Sequence, residues 1–315
     1  MVGRTTNSKY EDEMERILNS MIDEHTLRVD GLYDEILREL KNELYPLYVE
    51  LEGVHRFTKV HRKTVQDTVQ RVVNKYHGII RDEVKHSTNN AAVIGYSGVQ
   101  YETEMTDRIK IPASAMALSI LHDDYKKSKV HREYTAPKLS DGKNYADRVK
   151  RNHGQLIIDV TTKIGRGVTE AEGWIKLDKE LSRSTTRVSA RTKIILKNEA
   201  ERVKEVAAIN SVKDLFEVGV IKVKTWESRE DSAVRMTHQA LHGTTLKENE
   251  YFSTGNGQAL SPRGFGVPSE DINCRCRLHY ETAKIEDEGK FTKLTDEEDI
   301  YYDIWAEENG FHLEA

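Results

Sequence analysis

Both cysteines of this 315-residue chain fall in one stretch, INCRCRLHY, at positions 274 and 276. A cysteine can be a thiolate nucleophile, a soft metal ligand or a small buried hydrophobe, so a C-x-C pair raises three chemistries. A disulfide between them is disfavoured on a strand, where same-face neighbours do not meet its geometry. For a metal, His238 and His242 recur four residues apart on an expected helix and so share a face. Together with Cys274 and Cys276 they could form a tetrahedral Cys2His2 zinc set, although C-x-C is tighter than the usual ligand spacing. A nucleophile needs a base and an exposed, electropositive setting. Arg275 and Arg277 offer charge, but in an alternating strand they point away from the sulfur face. The third reading is two small core residues. Three further readings concern neighbours of this set. Trp226 is a core residue or a partner-binding anchor. His238 is a hydrogen-bonded structural histidine or a ligand. Asp231 and Arg235, four apart, pair on a helix surface.

These residues need elements to hold them. DINCRCRLHY alternates, with Ile272, Cys274, Cys276, Leu278 and Tyr280 on one face and Asn273, Arg275, Arg277 and His279 on the other, which predicts a closing strand. VIKVKTWES alternates as well, with Val220, Lys222 and Lys224 on one side. Between them stand a short helix ended by Gly243 and a long Gly/Pro-rich loop. A module this small needs staples. Arg275, whose fork suits a carboxylate, is expected to be buried against Asp231 or Glu199, tying the module to the preceding helix.

Upstream the pattern is helical. Val29, Tyr33, Ile36, Leu40, Leu44, Leu47 and Leu51 form one stripe, and Pro46 is expected to kink or restart the helix near Tyr45. A second helix is expected over 57–85, with Val65, Val69, Val72 or Val73, Tyr76 and Ile80 on one stripe, then a glycine-broken segment around Gly95 and Gly98. A further helical block follows from Tyr145. In it, Gly165 and Gly167 are expected to end one helix, Thr169 with Glu172 to start another, and Ser211 to cap a short piece before Gly219. The expected class is mostly α with a small C-terminal α+β module. The chain divides in sequence into a long-helix region (1–110), a linker region (111–144), a helical block (145–219), the α+β module (220–282) and an acidic tail (283–315). In that tail DIYYDIWAEENGF is aromatic enough to dock.

Apolar residues make up 37% of the chain and charged ones 32%, and mean hydropathy is −0.67, which predicts a charged, helical protein. The net charge of −5 argues against a polycation that coats nucleic acid. The basic run at 126–133 could touch DNA, but acidic neighbours dilute it. No run is apolar enough to span a bilayer, and the opening MVGRTTNSKY lacks a signal core, which predicts a protein kept in a cytosol. No P-loop or dinucleotide glycine signature is present.

VKTWESREDSAVRMTHQALHG, the glycine loop and PSEDINCRCRL together resemble the head morphogenesis family of tailed phages, the Mu F-like minor head proteins. The residues that carry the resemblance are Trp226, Asp231, Arg235, His238, Gly243, Pro268, Asn273, Cys274, Arg275 and Cys276. Glu199 and Arg202 match upstream, in a stretch where Lys197 and Asn198 depart from the family's Arg and Thr. His242 falls where the family varies. The resemblance covers about 145–280. It implies a minor capsid protein rather than an enzyme, with no resident cofactor. It further implies a partnership with the portal protein and with major capsid or scaffolding protein, entry into the procapsid, and an influence on DNA packaging or ejection. Its place would be the virion, inside or at the portal vertex of the head, after assembly in the host cytoplasm. Weak contact with packaged DNA and self-association through the N-terminal helices are further expectations, and a membrane is not one. The rival reading is a metal-dependent nuclease or toxin-like hydrolase built on His238, His242 and Asp231.

Overall fold

The computed structural model describes residues 9–52, 54, 56–112, 142–229, 231–295 and 300–314. The basic run at 126–133 and most of the expected linker lie outside them. The described residues form two compact units, one within Met1–Ile22, His86–Gly142 and Lys197–Ala315, the other within Asp23–Lys85 and Lys143–Leu196. These units interleave in sequence, whereas the sequence reading divides the chain into five consecutive segments.

The second unit is wholly helical. It takes residues from four helices: α1 (Lys9–Leu51), α2 (Lys59–Asp107), α3 (Tyr145–Thr169) and α4 (Trp174–Glu217). The 3.6-residue period puts Val29, Tyr33, Ile36, Leu40 and Leu44 on one buried stripe of α1, and Val65, Val69, Val72, Val73, Tyr76 and Ile80 on one of α2. Leu156, Val160 and Ile164 of α3 and Leu177, Leu181 and Val188 of α4 are buried as well. A polar chain runs through this apolar interior. Tyr33 Oη lies 2.8 Å from both His153 Nε2 and Thr192 Oγ1, and His153 Nδ1 lies 2.8 Å from His77 Nδ1. Asn144 caps α3, its side chain accepting from Asp147 N while Asp147 accepts from Asn144 N.

Several expected helix breaks are absent. Pro46 sits inside α1 without ending it, one turn and a half from the helix end and at an exposed position, where the freed Asn42 carbonyl can meet water. Beyond it the buried position is Tyr48, not Leu47. The helix expected to stop at Lys85 runs on to Asp107. Gly95 and Gly98 do not break it. A Cβ on Gly95 would stand 2.1 Å from the Lys204 carbonyl oxygen, and one on Gly98 would meet Met14, so these glycines admit close neighbours instead. Gly165 and Gly167 likewise lie within α3, against Phe57 and Leu177. Thr169 is the last residue of α3 rather than a cap for the next helix, and Ser211 lies within α4.

The first unit is mixed. Strands β2 (Val220–Glu227), β3 (Thr245–Lys247) and β6 (Arg277–Ile285) form an antiparallel sheet in the order β3-β2-β6, with Trp226 opposite Leu278 and Thr225 opposite His279. Strands β4 (Phe252–Thr254) and β5 (Gly257–Ala259) form a hairpin, and β1 (Ile109–Lys110) pairs with β7 (Thr292–Lys293). Short helices α5 (Met236–Gln239) and α6 (Pro268–Asp271) interrupt the connections, and α7 (Tyr302–Glu308) follows β7. Of the two alternating faces of β2, the one with Val220, Lys222 and Lys224 is buried. Lys224 satisfies its ammonium on the Glu248 and Leu260 carbonyls, at 3.0 and 2.9 Å.

The closing strand starts later than expected, at Arg277. Asn273 adopts φ 56 directly after α6, so residues 272–276 form an irregular segment. Ile272 is 42% exposed, off the face it was expected to share, while His279 is buried. In the acidic stretch beyond the sheet, Trp305 is fully buried, stacks on Phe311 and donates its indole N–H to Glu104 at 2.6 Å.

Candidate functional site

The end of β2, helices α5 and α6, the glycine loop and the segment leading into β6 bring one buried cluster together. His238 Nδ1 lies 3.5 Å from Cys274 Sγ and 3.4 Å from Cys276 Sγ. The three donor atoms are all within 4.8 Å of one another. All three residues are at most 2% exposed. On the far side of the ring, His238 Nε2 lies 2.8 Å from Glu270 Oε2, an ion pair by distance rather than a well-aligned hydrogen bond. Glu270 is itself held by Thr237 Oγ1 at 3.0 Å and Asn256 Nδ2 at 2.5 Å. The imidazole stands edge-on to Trp226 and stacks on Phe265.

Charge in this cluster is organised by Arg263, from the glycine loop. Its guanidinium donates to the backbone carbonyls of Cys274 at 2.5 Å and Cys276 at 3.2 Å, and pairs with Glu201 of α4 at 2.6 Å. Donation from the Cys276 thiol pulls the Cys274 thiol well below its ordinary range, with His238 and Arg263 reinforcing this and burial opposing it. Cys276 is pushed up, because it keeps the shared proton and is buried. Burial would raise Glu270, but hydrogen bonds from Asn256 and Thr237 and the charge of His238 outweigh it and lower its pKa. For Glu201 burial wins over Arg263, and its pKa is raised. The donor set is two sulfurs and one imidazole, which suits a soft divalent ion. Both cysteines are buried, whereas a reactive thiolate needs an exposed setting, so the arrangement is ill-suited to a nucleophile.

The other expected residues separate from this cluster. His242 lies beyond the four-residue α5, is exposed, and its Nδ1 accepts from Ser228 N at 3.2 Å, so the Cys2His2 set does not form. Asp231 pairs with Arg275 at 2.5 Å, but the pair is about two-fifths exposed (35% and 44%), not buried. Glu199 does not reach Arg275. It pairs with Arg202 of the same helix at 2.9 Å, both side chains 7% exposed. Arg235 does not pair with Asp231 and instead donates to the Ile272 carbonyl. Asn198 accepts from Asn273 N at 3.1 Å, joining α4 to the segment that carries the cysteines. Gly243 adopts φ 76 while its N–H donates to the Trp226 carbonyl at 2.9 Å, a turn that a side chain would strain. Trp226 is fully buried.

Glu270, Arg263, Asn256 and Glu201 were not expected. Arg263 and Asn256 lie in the loop, where no periodicity reports burial. A carboxylate four residues before the first cysteine was a visible signal for Glu270, and the loop's only arginine was one for Arg263.

Residues 158–279 match the family described as Phage Mu protein F like protein. The minor head protein GP7 of Bacillus phage SPP1 is 21% identical over 283 residues, which cover 86% of this chain and 86% of that protein. The NAD(+)–arginine ADP-ribosyltransferase EFV of Enterococcus faecalis is 24% identical over 272 residues, covering 85% of this chain and 54% of that protein. The chain thus spans about half the length of this second relative. No solved structure matches. The matched span holds Asp231, Arg235, His238, Gly243 and Asn273–Cys276, and it is through this region that the chain is similar to the phage Mu F-like head proteins.

Proposed function

We propose that this chain is a minor head protein of a tailed phage that joins the procapsid during head morphogenesis. The observation that carries this is the family match over 158–279, together with a minor head protein that aligns over most of both chains. In this reading the long helices offer surfaces to the portal protein and to major capsid or scaffolding protein, or to a second copy of the chain. The protein sits by the portal vertex and affects how DNA is packaged or released. No helix among the described residues is long and apolar enough to cross a membrane.

The structure gives little support to a hydrolase. His238 is buried, His242 is exposed and Asp231 is engaged by Arg275, so the three do not converge on one reacting position. The activity in the enterococcal relative's name stays with that protein, because nearly half of it lies outside the match. Labelling the chain in purified procapsids tests the proposal. Signal at the portal vertex is expected, with co-purification of portal assemblies, and absence from heads would overturn it.

A further inference from the structure

We infer that His238, Cys274 and Cys276 hold one thiophilic divalent ion of the zinc class at a structural site. This inference is independent of the head-protein reading and can fail without it. A nitrogen at about 2.0 Å and sulfurs at about 2.3 Å from a tetrahedral zinc stand roughly 3.5 Å apart. The observed N–S separations are 3.5 and 3.4 Å. A ring nitrogen has one hydrogen or one lone pair to offer, so it serves a single sulfur well by hydrogen bonding. Near-equal distances to two sulfurs fit a cation shared among all three.

The surroundings point the same way. Glu270 on Nε2 favours the tautomer that turns the Nδ1 lone pair to the sulfurs, and Thr237 and Asn256 fix Glu270 in turn. A carboxylate behind a ligating imidazole orients it and raises its basicity. Two thiolates would neutralise a divalent ion, and Arg263 is already balanced by Glu201. Sulfur and imidazole favour zinc over calcium or magnesium. The ion would cross-link α5, α6 and the approach to β6 in a module whose strands run from three to nine residues.

The test is metal content of the full-length chain, purified reduced and reloaded with Zn2+ or Co2+. About one ion per chain is expected for the wild type and for His242→Asn, with a thiolate-to-cobalt charge-transfer band for the Co2+ form. Cys274→Ser/Cys276→Ser and His238→Asn should lose the ion, and Glu270→Gln should bind it roughly 10–100-fold more weakly. If those variants do not fold, the wild type still decides, through chelator-induced lowering of its melting temperature and metal protection of its two thiols. A folded wild type that takes up no ion and leaves both thiols unprotected overturns the inference. So does retention of the ion by the double serine variant, or a Cys274–Cys276 disulfide found by mass.

Discussion

Arg263 and Arg275 were equally plausible anchors by type, and burial separates them. Arg263 is 5% exposed and holds two backbone carbonyls and Glu201. Its replacement by alanine strands a buried carboxylate, which destabilises by about 3–5 kcal/mol, and the fall in thermal midpoint should far exceed that for Arg275→Ala. Equal shifts in the two variants would contradict this. His279 carries a pH dependence. Burial opposes its charge, but a hydrogen bond and charge from Glu11, with Glu102 and Glu281, raise its pKa from 6.5 to about 9. The folded state therefore holds this proton more tightly than the unfolded chain. That stabilisation is complete below pH 6.5 and disappears as pH rises through about 9. The melting temperature of the wild type should fall over this range more than that of His279→Gln. Residue types pointed to Cys274, Cys276 and His238 as possible partners, since these are the chain's two cysteines and thiolate and imidazole suit the same soft ions. His242 was misassigned because an i, i+4 relation assumes a helix, and α5 ends at Gln239.

Helices were legible as stripes, because burial of one face imposes a 3.6-residue period on α1 and α2. Their ends were less legible, because glycine and proline have more than one structural use. Gly95, Gly165 and Gly167 read as stops yet serve as contacts. Gly95→Ala should destabilise by about 1–3 kcal/mol or more, since the obstacle is a backbone carbonyl that cannot swing aside. Gly31→Ala and Gly78→Ala, where a Cβ meets nothing within 4 Å, should each stabilise by about 0.5–1 kcal/mol. Denaturant melts of the three variants check both signs. The polar chain through Tyr33, His153 and His77 makes the opposite pH prediction to His279. Burial, helped by His77, lowers the pKa of His153 from 6.5 to about 4. The unfolded chain then takes up the proton first, so stability present above pH 6.5 is lost as pH falls towards about 4. His153→Gln should flatten that part of the acid dependence, and an unchanged slope would refute the assignment.

Across the whole chain, composition foretold a charged, mostly helical protein, and alternation in two stretches foretold its small β-containing end. It could not foretell which distant segments share a core, because pairing of remote segments leaves no local period. The aromatic stretch near the end shows this. Trp305 is fully buried and donates to Glu104, which is itself fully buried. Trp305→Ala should cost about 3–5 kcal/mol, read as lower stability of the unit that contains it. The interleaving of the two units also bears on synthesis. All residues of the helical unit have been made once Leu196 is added, and 119 residues still follow, so the unit can emerge and close while translation continues. The other unit cannot, because its first segment ends at Ile22 and its last begins at Lys197. Its opening turns must therefore wait, with apolar residues such as Met14 and Leu18 uncovered, for partners made near the end of translation. That interval is when a chaperone would find this protein.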